Sequence, residues 1–309
     1  MYRLRLLAVP LILLLGLSFL GCDSTKELVE FDFEDTIEIE GVDNPAKPQI
    51  KICVGSMITP EEGYAYYKRL LDYLGRKLDL EVNFVEKRTY AEVNALLKNG
   101  SIDVAFVCGG PYVIGHDEFG LNLLAAPVVD GKSVYYSYII VAKDSRIEKF
   151  EELEDKTFAF MDPLSNTGKL IPSYMLHEIG RTPREFFKET LYTYSHDNSI
   201  KAVAHGIVEA AAVDSLIWEY KYKTGCEDTL QTRIIRVSEP YGIPPVVARP
   251  GMEEEMKTKI KDILLTMHDD DEGKEILGGM FIDRFADISD GSYDTIRDLR
   301  SALNDGASL

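Results

Sequence analysis

The sequence predicts an α/β fold of two lobes joined by two crossing segments, and three observations carry that prediction. Apolar strand-like runs alternate with helical ones along most of the chain, the pattern of parallel-sheet α/β architectures. Two long extended passages, around 134–141 and 233–247, read as connections that travel far. About 260 residues follow an acidic N-terminal stretch, which is long for one core and suits one or two domains. If both passages cross, the chain builds a first lobe from 48–138, a second from 139–239, and returns to the first with 240–309. That topology creates a hinged cleft.

Each element has a local reason. Residues 50–55 form an apolar strand. Tyr64, Tyr67, Leu71, Leu74 and Leu78 then recur at helical spacing over 60–78. Thr59 with Glu62 gives this helix a capping box, and Pro60 takes its first position. A strand at 80–85 precedes a helix at 89–98 with a second box, Thr89 and Glu92, and a strand at 103–107 follows. Residues 134–141 read as one long strand. Phe158 to Phe160 is an apolar strand running through Met161-Asp162-Pro163 into Leu164-Ser165-Asn166-Thr167-Gly168 and a helix-like run ending near Gly180. Small polar residues, Ser195 to Ser199, again stand before a helix at 200–205. A strand over 208–214 ends in Asp214, with a helix beginning near Leu216. The second passage, 233–237 into a Pro-rich 238–247, is extended because residues before proline avoid the helical region.

The N-terminus has a different character. Met1-Tyr2-Arg3-Leu4-Arg5 precedes an apolar run, 6–20, that is short for a membrane span, and Gly21-Cys22 follows. This reads as an export signal over 1–21 with Cys22 as a lipidated first residue; a plain N-terminal anchor helix is the alternative. Residues 22–47 read as an acidic tether, with nine acidic and two basic residues in 23–47, although the alternation at 36–40 is compatible with a short strand. Loss of Arg3 and Arg5 would make the chain two charges more acidic than the −18 of the full sequence. Such a surface argues against nucleic acid as a partner. Beyond Cys22, the chain holds Cys53, Cys108 and Cys226, whose spacing matches no metal motif. Cys53 and Cys108 fall on expected strands and read most simply as buried apolar residues, with a disulfide between them left open.

At the turn after Phe160 the first N–H groups of the following helix lack partners, and hydroxyl and amide side chains stand beside them. That combination suits a small oxyanion, and an ordinary N-cap accounts for it equally well. Ser195 and His196 repeat the arrangement, His196 being either a donor to an anion or a capping residue. Asp214 fixes a ligand or caps the next helix. Tyr90 and Tyr135 offer phenols to the cleft or simply apolar mass.

Together these residues resemble the phosphonate- and phosphite-binding family of periplasmic solute-binding proteins, which feed ATP-driven importers. The resemblance runs over most of 50–302 and is anchored by Asp162-Pro163-Leu164-Ser165-Asn166-Thr167-Gly168, Ser195-His196-Asp197, Ala212-Val213-Asp214-Ser215 and Gly242-Ile243-Pro244-Pro245. It implies the type 2 periplasmic-binding-protein fold, two α/β lobes joined by two hinge-crossing strands. It further implies an anion loop at Ser165, Asn166 and Thr167, aromatic donors at Tyr90 and Tyr135, and contributions from His196 and Asp214. Hydroxyls, N–H groups and an imidazole supply donors without a fixed charged clamp, which keeps release feasible.

Two departures narrow the ligand. Positions that carry acidic side chains in aminophosphonate binders fall here on Leu216 and Pro244, which favours phosphite, phosphate or a simple phosphonate such as methylphosphonate. Val107-Cys108-Gly109-Gly110-Pro111-Tyr112 replaces an expected Trp/Tyr-Gly pattern, with Tyr112 as a compensating ligand residue. The implied partners are a small anion, an ABC permease of the inner membrane, and the membrane itself through lipid on Cys22. The protein is expected as a monomer on the outer face of the cytoplasmic membrane, periplasmic in a Gram-negative cell, with no cofactor and no metal. A sensor subunit for a membrane kinase or chemoreceptor fits the same fold. An enzyme acting on a phosphonate fits less well, since no catalytic triad order, metal spacing or nucleotide loop is visible.

Overall fold

The computed structural model describes residues 48–306 except 56, 58 and 59. The leader, Cys22, the acidic tether, the short strand expected at 36–40 and the first capping box lie outside the described residues. In chain order the strands are β1 (Gln49–Val54), β2 (Glu81–Val85), β3 (Val104–Phe106), β4 (Asn122–Val128), β5 (Val134–Tyr135), β6 (Ser137–Ala142), β7 (Thr157–Phe160), β8 (Glu189–Tyr192), β9 (Ala210–Asp214), β10 (Thr232–Val237), β11 (Tyr241–Gly242), β12 (Val246–Ala248) and β13 (Arg284–Ala286).

They form two sheets of the same logic. The first has the order β13-β4-β12-β3-β1-β2 and the second β10-β6-β9-β7-β8. In the first, β1 is parallel to β2 and β3, and the returning strand β12 inserts antiparallel between β3 and β4. In the second, β7 is parallel to β8 and β9, and the arriving strand β6 lies antiparallel to β9 and β10. Each sheet therefore takes in, next to its parallel core, the strand that has just crossed. Central strands β3 and β9 are buried at every position, as expected for strands covered on both faces. Edge strand β2 exposes Glu81 and Asn83, polar side chains of the kind that discourage further pairing.

The long strand expected at 134–141 is broken at Tyr136. The Tyr136 N–H donates to Ser215 Oγ at 3.0 Å and its carbonyl accepts the Ser215 N–H at 3.0 Å, so neither group is left for a ladder. β5 instead pairs with β11, Tyr135 opposite Tyr241, in a two-stranded ribbon separate from both sheets. β6 enters the second sheet at Ser137.

Other elements differ at their ends or were not anticipated. The capping box of helix Tyr90–Lys98 forms as expected: Thr89 Oγ1 accepts the Glu92 N–H at 3.2 Å, and Glu92 accepts the Thr89 N–H at 3.0 Å. The helix expected at 200–205 begins earlier, spanning His196–Ala204, because Ser195 Oγ caps it through the Asn198 N–H. His196 thus occupies the first helical position. Helix Gly109–Phe119, which begins with Gly109-Gly110-Pro111, was not anticipated. Pro111 sits in the first turn, where an N–H has no intrahelical partner to lose. Cys53 and Cys108 are both free and buried, so no disulfide joins them. A second, smaller apolar cluster around Tyr138, Ile140, Val203, Val213 and Trp218 complements the main core.

Candidate ligand-binding site

The turn after β7 is organised by Asp162, which is 1% exposed. Its Oδ1 accepts the Leu164 N–H at 2.7 Å, and its Oδ2 accepts the N–H of Tyr90, on the side of the first sheet, at 3.2 Å. Ser165 Oγ then caps the next turn by accepting the Gly168 N–H at 2.9 Å. Asn166–Leu170 forms a single π-turn before helix Ile171–Glu178, a rare geometry frequent at functional sites. Gly168 is required here, since a Cβ would overlap Met161 and press to 3.2 Å from the His196 ring.

The neighbouring side chains leave polar atoms without partners. Asn166 Nδ2 donates to Tyr135 Oη at 3.1 Å, and Ser137 Oγ donates to the Thr167 carbonyl at 2.6 Å. The Asp214 N–H donates to His196 Nδ1 at 3.1 Å, which places the ring proton on Nε2. Burial lowers the His196 pKa to about 3, so the ring is neutral and Nε2–H is a fixed donor. Asp214 Oδ1 accepts the Leu216 N–H at 2.8 Å, and burial raises the carboxyl to about 7. Tyr90 Oη, Asn166 Oδ1, Thr167 Oγ1, His196 Nε2 and Asp214 Oδ2 are all buried with no hydrogen-bond partner.

An orphaned buried polar atom costs about 1–3 kcal/mol, and native cores hold few of them. Five in one neighbourhood can be satisfied together by one ligand rich in oxygen. Tyr90, Thr167 and His196 supply donors, and Asp214 adds another when protonated. Turning the Asn166 amide over is neutral for Tyr135, whose hydroxyl can accept or donate, and presents Nδ2–H to the same space. The donor set suits several oxygens of one small anion. Among the described residues no group of three or more His, Cys, Asp or Glu side chains is placed to hold a metal.

The two halves meet closely at this place. Besides the Tyr90–Asp162 bond, the His196 N–H donates to the Met57 carbonyl at 2.9 Å. A Cβ on Gly110 would overlap the Leu164 carbonyl oxygen and stand 3.2 Å from the Asn166 nitrogen. The glycine pair that departs from the expected motif therefore allows helix Gly109–Phe119 to abut the anion loop. Asp214 also lines a cavity of ≈ 70 Å³ whose walls include Leu216 and Pro244.

Residues 52–293 match the family model described as ABC transporter, phosphonate, periplasmic substrate-binding protein. The chain belongs to this family. Among relatives of the phosphonate-binding family, the phosphonates-binding periplasmic protein of Escherichia coli (strain K12) is 28% identical over 213 residues. That match covers 67% of this chain but 62% of the relative, so the chain spans less than two thirds of the relative's length. The binding protein component of an ABC phosphonate transporter from Pseudomonas aeruginosa superposes with a TM-score of 0.78 at 24% identity, covering 82% of this chain and 86% of the other. PhnD1 of Prochlorococcus marinus (MIT 9301), solved with methylphosphonate, gives 0.76 at 20% identity, covering 83% and 98%. The fold is the two-lobe type 2 periplasmic-binding-protein fold, with its two crossings at β5–β6 and β11–β12.

Of the eight residues expected to meet a ligand, the structure brings together Tyr90, Tyr135, Ser165, Asn166, Thr167, His196 and Asp214. Ser165 caps the turn, and Tyr135 is bonded to Asn166. Tyr112 is placed differently. Its hydroxyl donates to Asp290 Oδ1 at 2.7 Å and its ring packs on Tyr293 at 4.5 Å, within a network in which Arg297 also joins Asp117 and Asp290. Tyr112→Phe is expected to leave ligand affinity within about twofold and to cost roughly 1 kcal/mol of stability, checked by calorimetry and urea melts. Asp162 and Gly110 escaped sequence reasoning. Asp162-Pro163 marks a turn, but nothing local shows that its carboxylate serves a helix some seventy residues away.

Proposed function

We propose that this protein is the extracytoplasmic solute-binding component of an ABC importer, closing two lobes over a small phosphorus oxyanion: phosphite, phosphate or a simple phosphonate. The observation that carries the reading is the set of five unpartnered buried polar atoms contributed from both sides of the cleft. The lobes are residues 48–136 with 240–309, and 137–239, the expected boundary after 138 moving back because β6 joins the second sheet from Ser137. Tyr90, Asn166, Thr167, His196 and Asp214 contact the ligand oxygens, with Tyr135 and Ser165 holding the loop.

Opening separates Tyr90 from Asp162 and His196 from Met57, and closure restores these bonds around the ligand. The body is acidic, yet surface charge is screened over roughly 8 Å at physiological salt, so the enclosed donors govern the anion. The protein binds and releases its ligand without chemistry, and the closed form is presented to a membrane permease.

The chain acts as a monomer tethered through lipid on Cys22 to the outer face of the cytoplasmic membrane. Cys22→Ser is expected to move the protein from the membrane fraction to the soluble one; an unchanged distribution contradicts the anchor. For the ligand, calorimetry against phosphite, phosphate and methylphosphonate is expected to give at least one dissociation constant of about 1 μM or tighter. Absence of binding to all three and to larger phosphonates contradicts the reading.

A further inference from the structure

We infer that Lys223, on the second lobe, is the clasp of the closed cleft: Asp130 and Phe281 of the first lobe hold its ammonium, and this contact sets how long a bound ligand stays. The inference rests on the two-lobe closure proposed above and adds to it a residue remote from the anion loop. Lys223 ends the helix that begins at Ser215, next to Asp214, and so stands roughly two turns from the anion site. Its Nζ lies 5.4 Å from the centroid of the Phe281 ring and 3.8 Å from Asp130 Oδ2. On the same helix, Tyr220 meets Phe281 edge-on at 5.7 Å and Tyr66 at 4.7 Å, both from the first lobe.

The backbone that carries Phe281 is unusual for such a residue. Helix Asp271–Gly279 ends in a Schellman turn, in which the Phe281 N–H donates to the Gly278 carbonyl at 3.2 Å and the Ile282 N–H to the Leu277 carbonyl at 3.0 Å. Phe281 takes the left-handed position of that turn, with φ 54°, where glycine is usual and a bulky side chain is an outlier. It is also 40% exposed and belongs to neither apolar cluster. Strain of this kind persists where the residue has a task, and the task visible here is contact with Tyr220 and Lys223 of the other lobe. Asp130 is left-handed as well, with φ 49°. The neighbouring Gly131 N–H donates to Asp283 Oδ2 at 2.7 Å, so the two first-lobe loops that hold Lys223 are tied to each other.

Both contacts to Lys223 are partly solvated, and each shifts an equilibrium by up to about fivefold. They exist only while the lobes are together, so their loss appears in release and not in capture. Stopped flow on the full chain with phosphite, phosphate and methylphosphonate separates the two rates. Lys223→Met keeps the stem and removes the charge; it is expected to release ligand about fivefold faster than wild type, with association within about twofold. Phe281→Ala is expected to release about tenfold faster, since Tyr220 loses a partner too. Phe281→Gly accepts the left-handed backbone; it is expected to release as fast as the alanine variant, to melt a few degrees higher, and to serve in its place if that variant does not fold. Raising sodium chloride from about 0.05 to about 0.5 M is expected to speed release from wild type more than from Lys223→Met, because only wild type has the Asp130 pair to screen. A lysine with a merely structural role gives no such difference. Wild-type release from Lys223→Met overturns the clasp and leaves the oxyanion reading intact, as does weaker binding that comes from slower association alone. No binding of any of the three ligands to the wild type removes the oxyanion reading and the clasp with it.

Discussion

Gly110→Ala is expected to weaken ligand binding roughly 100-fold while leaving the unliganded protein as stable as before, or slightly more so. The added Cβ overlaps the Leu164 carbonyl oxygen, and a backbone atom cannot swing aside as a side chain does. Overpacking of this kind costs about 3 kcal/mol at the upper end of its usual range, which converts to that loss of affinity. The clash exists only when helix Gly109–Phe119 meets the anion loop. An opened cleft relieves it, and alanine is the better helix former. Calorimetry, thermal melts and small-angle scattering with ligand separate the effects. Unchanged affinity with full compaction would show that the glycine is dispensable for closure.

Asp214→Asn is expected to stabilise the unliganded protein at pH 8, on the order of 3 kcal/mol, and to change little near pH 4. Burial raises the native Asp214 carboxyl from 3.8 to about 7. Between these values the native state holds a proton that the unfolded chain has released, so stability falls as pH rises and levels off above about 7. His196 acts in the opposite sense. Its native pKa is lowered from 6.5 to about 3 by burial, so stability rises with pH across that interval. From about pH 4 to 6.5 the two slopes oppose and the wild-type curve is nearly flat. The substituted chain retains only the His196 slope and loses stability on acidification. Parallel wild-type and variant melting curves from pH 4 to 8 would refute this assignment. Ligand affinity follows the same carboxyl: above about pH 7 the wild type turns a donor into a repelling charge and binds the anion more weakly, whereas the variant does not.

Much of the architecture was legible because it rests on local rules. Strand and helix periodicity, the Thr89–Glu92 box and the two crossing passages each have a short-range cause that survives folding. The anion loop was legible for the same reason, since Ser165 through Gly168 is a cap motif whose unpaired groups follow from sequence. What escaped depends on partners distant in sequence. The break at Tyr136 is made by Ser215, and the commitment of Tyr112 is made by Asp290. Helix Gly109–Phe119 was obscured by residues chosen for close approach to another lobe, where packing overrides propensity. The apolar character of Leu216 and Pro244 was visible, but that both face one cavity was not.

The pair of hydrogen bonds between Tyr136 and Ser215 ties the entry to β6 to the end of β9. Tyr136 is the residue between β5 and β6, and Ser215 follows Asp214 directly. The junction of β5 and β6 is thus tied to the residue next to Asp214. Helix Ser215–Lys223 extends from that point by about 1.5 Å per residue, roughly 13 Å in all, and its Tyr220 lies 5.7 Å from Phe281 across the cleft. The helix is thus held near both ends, at Ser215 by Tyr136 and at Tyr220 by Phe281.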